Sequence, residues 1–335
     1  MAGGKCVGSP KLPCQKPKIS GRFGDLVVKC GDQVDLRADA TNIPDKTPTI
    51  FNIRHYTKKQ TVATEKALLK SSKVSDKKWI SKKVFQGWDP PHLDFKVSAN
   101  GASADSDNRL RIYQYPDFAP YPKIIPRLVP PYEWTGKYDL EFKDRVLIIT
   151  VKIKLINRKM RWPANLNNLP PVNPADQPVK AKFKKYLKRD IEGKLSERWV
   201  LHRERCLRGK HCSCAKKTEC CKFRVRVRVE FVEANYHHEV NLFLGKSSWM
   251  NAGNWVRIPP GGNGSNAFAH EVGHLLGWYD EYPTGACGPV PWKNERKNAI
   301  MYSAGPYTTV PQLYYQDFKG EFRLKTDEPW DFVSK

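Results

Sequence analysis

Residues 270–282 read HEVGHLLGWYDEY. His270 and His274 stand four apart, so on a helix they project to one side a single turn apart, the spacing at which two imidazoles ligate one zinc. Glu271 then points alongside the metal, where it can take a proton from an attacking water. Phe268, Val272, Leu275 and Leu276 supply an apolar face, and Ser265 is placed to cap a helix beginning at Asn266. Two histidines one turn apart can also be surface decoration, so the surrounding residues carry the decision.

Gly277 follows His274 by three residues, and a glycine there can take the left-handed conformation that stops a helix and turns the chain back. Asp280, three residues on, can then return as a third ligand, with Glu281 and Glu295 as its rivals. Further along, NAIMYSAG places Met301 in a short apolar turn followed by Tyr302. This pattern, HExxHxxGxxD with a downstream Met in a turn, resembles the metzincin zinc peptidases, with Asp in place of the usual third His. The match covers about residues 265–307. It implies Zn2+ held by His270, His274 and Asp280, Glu271 as general base, and Met301 as the residue of the Met-turn. Some metzincins carry a Tyr two residues after the Met; Ser303 stands here, which leaves Tyr302 and Tyr307 as substitutes. The resemblance further implies an endopeptidase acting on a protein or peptide substrate. The stretch NAGNWVRIP (251–259) would be the edge strand holding that substrate, and the segment through Tyr307 would line the pocket beyond the scissile bond.

Outward from the motif, the 335 residues suggest two domains, and 40% hydrophobic residues are enough for ordinary cores. No apolar run approaches the roughly 18–20 residues of a membrane-spanning helix. Residues 1–21 lack the apolar region of a secretory signal and read as a flexible lead-in. From 22 to 115, segments such as DLVVKC, QVDLRA, TIFNIRHY, KKVFQGW, HLDFKVSA and RLRIYQY alternate apolar with polar residues, suggesting an immunoglobulin-like β-sandwich. Residues 116–134 hold six prolines, cannot run as a helix or central strand, and read as a linker.

The second domain, 135–335, opens with a hairpin turning near Lys143 and Asp144. Val179, Phe183, Leu187 and Ile191 fall four apart as one stripe of an amphipathic helix, which Gly193 is placed to end. In KFRVRVRVEFVEA (222–234), Phe223, Val225, Val227, Val229 and Phe231 share one face of a strand, with Arg224, Arg226 and Arg228 opposite. Strands are also expected in EVNLFLG and NWVRIP, while His237 and His238 read as surface residues in a turn. The fold class expected is therefore α+β, a sandwich followed by a zinc peptidase domain with a mixed sheet and an active-site helix.

Nine cysteines include five in CLRGKHCSCAKKTECC, at Cys206, Cys212, Cys214, Cys220 and Cys221. They read either as a disulfide-stapled loop, with Cys287 or Cys6, Cys14 and Cys30 completing pairs, or as a structural zinc knot that His211 could join. The formal charge of +24 is unevenly spread: residues 257–335 hold 8 basic against 9 acidic residues, whereas 180–228 hold 18 against 5. That basic stretch is either a solvated face or a surface for an anionic envelope, an acidic partner or nucleic acid. Because the motif lies in the acidic third, nucleic acid is disfavoured as the object of its chemistry. The rival reading is a basic, cysteine-stabilised binding module with a purely structural zinc.

The whole arrangement, a β-sandwich ahead of a Cys-containing HEVGHLLG domain, also looks like the C-terminal toxin regions of bacterial type VI secretion spike proteins. That likeness implies an effector toxin exported by fusion to, or partnership with, a secretion spike. It would act in an oxidising compartment such as the target cell's periplasm, countered in the producer by an immunity protein.

Overall fold

Val34, Leu36 and Ala38 are buried along one strand while Arg37 and Asp39 are exposed between and beyond them, and this two-residue period builds the first unit. The computed structural model describes residues 15–81, 90–113, 115–129, 132–172, 178–204, 221–245, 250–257, 264–282, 285, 298–302 and 308–334. They form a mixed α+β structure with more strand than helix. The chain divides into two units, one running to Pro116 and the other comprising Asp117–Glu204 and Lys222–Lys335.

The first unit contains β1 (Lys18–Phe23), β2 (Val27–Lys29), β3 (Gln33–Thr41), β4 (Pro48–His55), β5 (Thr61–Leu68), β6 (Lys73–Ile80), β7 (His92–Ala99), β8 (Ala102–Asp105) and β9 (Leu110–Tyr113). One sheet runs β1-β3-β6 and the other β2-β9-β7-β4-β5, with β8 on β7. Their inner residues form one hydrophobic cluster, in which Phe95 meets Phe23 and Phe51 edge to face at 4.8 and 5.3 Å. The alternating segments supply β2, β3, β4, β7 and β9, while KKVFQGW lies outside the described residues. The expected lead-in is corrected at its end: Lys18–Phe23 is a strand with Ile19 and Phe23 buried. Gly21 lets that strand approach Phe95, whose ring a β-carbon would meet at 2.7 Å.

The second unit contains β10 (Phe118–Val129), β11 (Tyr132–Lys143), β12 (Val146–Arg161), α1 (Ala181–Leu195), β13 (Val200–Arg203), β14 (Lys222–Phe231), β15 (His238–Leu244), β16 (Asn254–Val256), α2 (Gly264–Leu275), α3 (Gln316–Thr326) and β17 (Trp330–Val333). Its sheet runs β10-β11-β12-β14-β13-β17, with β15 on β12 and β16 on β15. The proline-rich segment is therefore not a linker. It forms β10, the last strand of the path among the described residues, where Pro122 and Pro126 stand opposite Asp139 and Thr135. At an edge a missing N–H need cost no ladder bond, and it blunts pairing with other chains.

The β11–β12 hairpin turns through Asp144 and Arg145, at φ 49 and 63°, the left-handed pair of a tight two-residue loop. β12 then runs parallel to β14 along its first half and to β15 along its second, and Ile153 pairs with both Phe231 and His238. Helix α1 lies between β12 and β14 in the chain and packs on β14 and α2. Gly193 does not end it; the helix runs on to the fully buried Leu195. Burial of that last turn outweighs the cost of an interior glycine, about 1 kcal/mol. On β14, Phe223, Val225, Val227 and Val229 are buried and Arg224 and Arg226 exposed, as the alternation predicts.

His237 and His238 are not surface residues. Both are half-buried where β15 begins: His237 lies 3.2 Å from Asp139 Oδ1, and the Lys137 N–H donates to His238 Nε2 at 3.2 Å. Of the cysteines, Cys30 donates to the Ser81 carbonyl at 3.3 Å and Cys221 is buried. Cys6, Cys14, Cys206, Cys212, Cys214, Cys220, Cys287 and His211 lie outside the described residues. Among the described residues no helix is long and apolar enough to cross a membrane.

Candidate metal centre

Helix α2 buries its side chains from Phe268 onward: Phe268, Ala269, Val272 and Leu275 with the apolar core, and His270, Glu271 and His274 with them. It begins at Gly264, so Ser265 lies inside its first turn and not ahead of it as a cap. Its end is decided by Gly277, at φ +92°. The Trp278 N–H donates to the Gly273 carbonyl at 2.9 Å and the Gly277 N–H to that of His274 at 2.8 Å. This pairing is a Schellman ending, which needs a left-handed residue at that point and reverses the chain. The reversal returns Asp280 to the histidines.

Asp280 Oδ1 lies 3.2 Å from His270 Nε2 and 3.1 Å from His274 Nε2. The other ring nitrogens are held by backbone: His270 Nδ1 is 2.8 Å from the Ile300 carbonyl and His274 Nδ1 2.8 Å from that of Trp278. A carbonyl accepts only, so each Nδ1 carries a proton and each Nε2 is turned inward to Asp280. Donor atoms of His270, Glu271 and His274 also lie within 4.8 Å of one another, and Glu271 Oε2 is buried with no hydrogen-bond partner.

These buried charges shift one another. Burial disfavours the charged ring of His270, but the bond to Asp280, the charge of Glu271 and the Ile300 carbonyl outweigh it and raise its pKa. Burial pushes the Asp280 carboxyl up, and the bonds from His270 and His274 overcome it, holding the group well below the usual carboxylate range. Glu271 is raised by burial, with the two histidines pulling the other way.

The residues fit a metal. Two ligands each about 2.0–2.1 Å from a tetrahedral zinc stand about 3.3 Å apart, close to the Nε2–Oδ1 distances here. Two donor sets overlap, one with Glu271 and one with Asp280 as the carboxylate. They differ in geometry: one oxygen of Asp280 faces both imidazoles, whereas Glu271 Oε2 is buried beside them with no hydrogen-bond partner. Glu281 belongs to neither set; it is buried and its N–H donates to the Met301 carbonyl at 2.9 Å.

Met301 is fully buried against the helix between the two histidines: a β-carbon on Gly273 would meet its Sδ at 2.5 Å. The same short segment supplies the Ile300 carbonyl to His270. Tyr302 is half-buried, with its N–H on the Ala299 carbonyl. Ser303, Tyr307 and Glu295 lie outside the described residues.

Several residues around the centre were not legible in the sequence, and most come from the supposed linker and the strand after it. Trp134 Nε1 donates to the His274 carbonyl at 3.0 Å, and its ring meets His274 edge to face at 5.9 Å and Tyr279 at 5.1 Å. Arg127 Nε donates to the Gly277 carbonyl at 2.7 Å, and its guanidinium is paired with Asp317 of α3. Gly136 of β11 lies against Gly277. On the other side Gly285 packs on Asp280, whose Cβ a side chain there would meet at 2.4 Å. Their one signal in sequence was the company of Trp, Arg and Gly near the prolines, which points to no site by itself.

No protein-family model matches the chain, and no curated protein matches its sequence.

Proposed function

We propose that this chain is a zinc-dependent endopeptidase of metzincin type. The observation that carries the reading is the convergence of two buried imidazoles on one carboxylate oxygen, with each outer ring nitrogen fixed by a backbone carbonyl. His270, His274 and Asp280 would hold the metal. Zinc bound there would supply a polarised water and a Lewis acid for a peptide carbonyl. Glu271 does the proton work: its buried carboxylate takes a proton from the attacking water and passes it to the leaving amine.

Strand β16 supports the substrate role that the resemblance gives to 251–259. It pairs in parallel with β15 and, among the described residues, ends the sheet on that side, leaving an edge for an extended peptide. The sheet order of the first unit, with β1 in one sheet and β2 in the other, supports an immunoglobulin-type sandwich whose task is binding or spacing.

The test is zinc content together with cleavage of a broad peptide library, for wild type and Glu271→Gln. Stoichiometric zinc in both, with cleavage by wild type alone, is the expected result. Wild type without zinc would refute the reading. Zinc in both with cleavage by neither would favour the structural-zinc binding module.

A further inference from the structure

A cavity of about 810 Å³ opens beside the N-terminal half of α1. Its described lining includes five cations, Lys180, Lys182, Lys185, Arg189 and Arg257, and no carboxylate. The first four come from α1 and the residue ahead of it, whereas Arg257 comes from the chain just after β16. Among the described residues, Lys180, Lys182 and Lys185 form no ion pair, although Arg189 bonds to Asp190. Five like charges around one hollow repel each other, and the arrangement gains most from an anion that enters it.

The uncharged part of the lining is aromatic. Phe183 is half-buried and Tyr186 buried, and each carries a guanidinium: Arg257 Cζ lies 5.6 Å from the Phe183 ring centre and Arg189 Cζ 5.6 Å from that of Tyr186. Arg257 also donates to Asn157 Oδ1 at 3.0 Å, while its Nε is buried with no hydrogen-bond partner. A guanidinium held over a ring has lost little further freedom to bind, and its N–H edge matches a planar carboxylate.

We propose that this cavity docks an acidic polypeptide segment, with carboxylates on the lysines and Arg257 and an apolar side chain against Phe183 and Tyr186. The volume suits a few side chains, within the usual range of about 300–1,000 Å³ for ligand sites. A nucleic-acid strand fits less well. Such strands stack bases along an extended basic groove, whereas the space here is a single hollow. The site accounts for part of the basic stretch at 180–228 that the metal chemistry leaves unused.

Binding can be measured on the Glu271→Gln protein by fluorescence anisotropy, so that no probe is cut. The probe is a short labelled peptide alternating Glu with Leu and Phe. Comparators are an all-Glu peptide of equal length, a peptide with Lys for Glu, and a single-stranded oligonucleotide. The mixed peptide should bind best, and Lys182→Glu/Lys185→Glu should weaken it at least about tenfold, as expected for charge reversal at a complementary site. Both lysines are exposed, so the double variant should fold. Failure of the mixed peptide to bind would overturn the proposal, as would unchanged affinity in the double variant. Equal binding of the all-Glu peptide would reduce the site to diffuse charge, and tighter binding of the oligonucleotide would make it a nucleic-acid site; either result overturns it too. The assay reads neither metal nor cleavage, so its failure and that of the peptidase reading are separate results.

Discussion

Gly136 of β11 and Gly277 at the end of α2 touch backbone to backbone: a β-carbon on Gly136 would stand 2.6 Å from the Gly277 nitrogen. The contact seats the corner at which the chain turns from His274 toward Asp280. Gly136→Ala should therefore push that corner away, at a cost of about 1–3 kcal/mol for overpacking. Thermal unfolding should show a lowered midpoint and zinc titration a weakened site. An unaltered midpoint with unaltered zinc affinity would show that the corner yields freely.

Asp280 and Glu271 are both buried carboxylates beside the histidines, yet their removal should have different results. Asp280→Ala should lose zinc more severely than the roughly 10–100-fold of an outer-shell change. Glu271→Gln should keep zinc and lose cleavage. Metal analysis after dialysis separates the two; zinc lost from Glu271→Gln and kept by Asp280→Ala would reverse the assignment of ligand and base.

In the proposed peptidase Trp134 would act by positioning, since its Nε1 donates to the His274 carbonyl. Trp134→Phe keeps an aromatic ring but removes the Nε1–H donor. We expect zinc to be retained and kcat/KM to fall about tenfold, at the low end of outer-shell effects, mainly through kcat. Full activity in the variant would assign the hydrogen bond to stability alone.

The His237–His238 pair predicts a pH dependence of stability. Burial pushes His238 down to about 4, against the opposing pull of the Lys137 carbonyl, and burial also lowers His237 against the pull of Asp139. In the unfolded chain both rings titrate near about 6.5, so there they bind more protons than in the folded chain. The stabilisation is thus complete above about 6.5 and is lost as pH falls toward about 4. Unfolding midpoints between pH 7.5 and 4.5 should decline in wild type and decline less in His238→Gln. Parallel curves would exclude His238 as the source.

The likeness to secretion-spike toxin regions, if it extends to action in a target periplasm, makes a cellular prediction. Expression of the chain with a periplasmic leader should arrest bacterial growth, cytoplasmic expression should not, and Glu271→Gln should be harmless in both. Equal toxicity of Glu271→Gln would detach any toxic effect from the proposed chemistry.

What the sequence determined by itself is local. The helical repeat puts His270 and His274 on one side, a glycine at 277 is nearly the sole residue suited to φ +92°, and Phe223 through Val229 alternate because a strand repeats every two residues. Each of these depends on neighbours within a turn or two of chain. The tertiary structure decided the rest. Proline's exclusion from sheets lapses at an edge, and whether Phe118–Val129 is an edge depends on which strands lie beside it. Gly193 could not reveal that burial of Leu195 would carry α1 past it. Arg127 and Trp134 reach the end of α2 across 150 and 140 residues of sequence. Contacts at that separation exist only once the sheet has formed, because the backbone entropy of bringing such distant residues together is offset by the buried core and not by anything local.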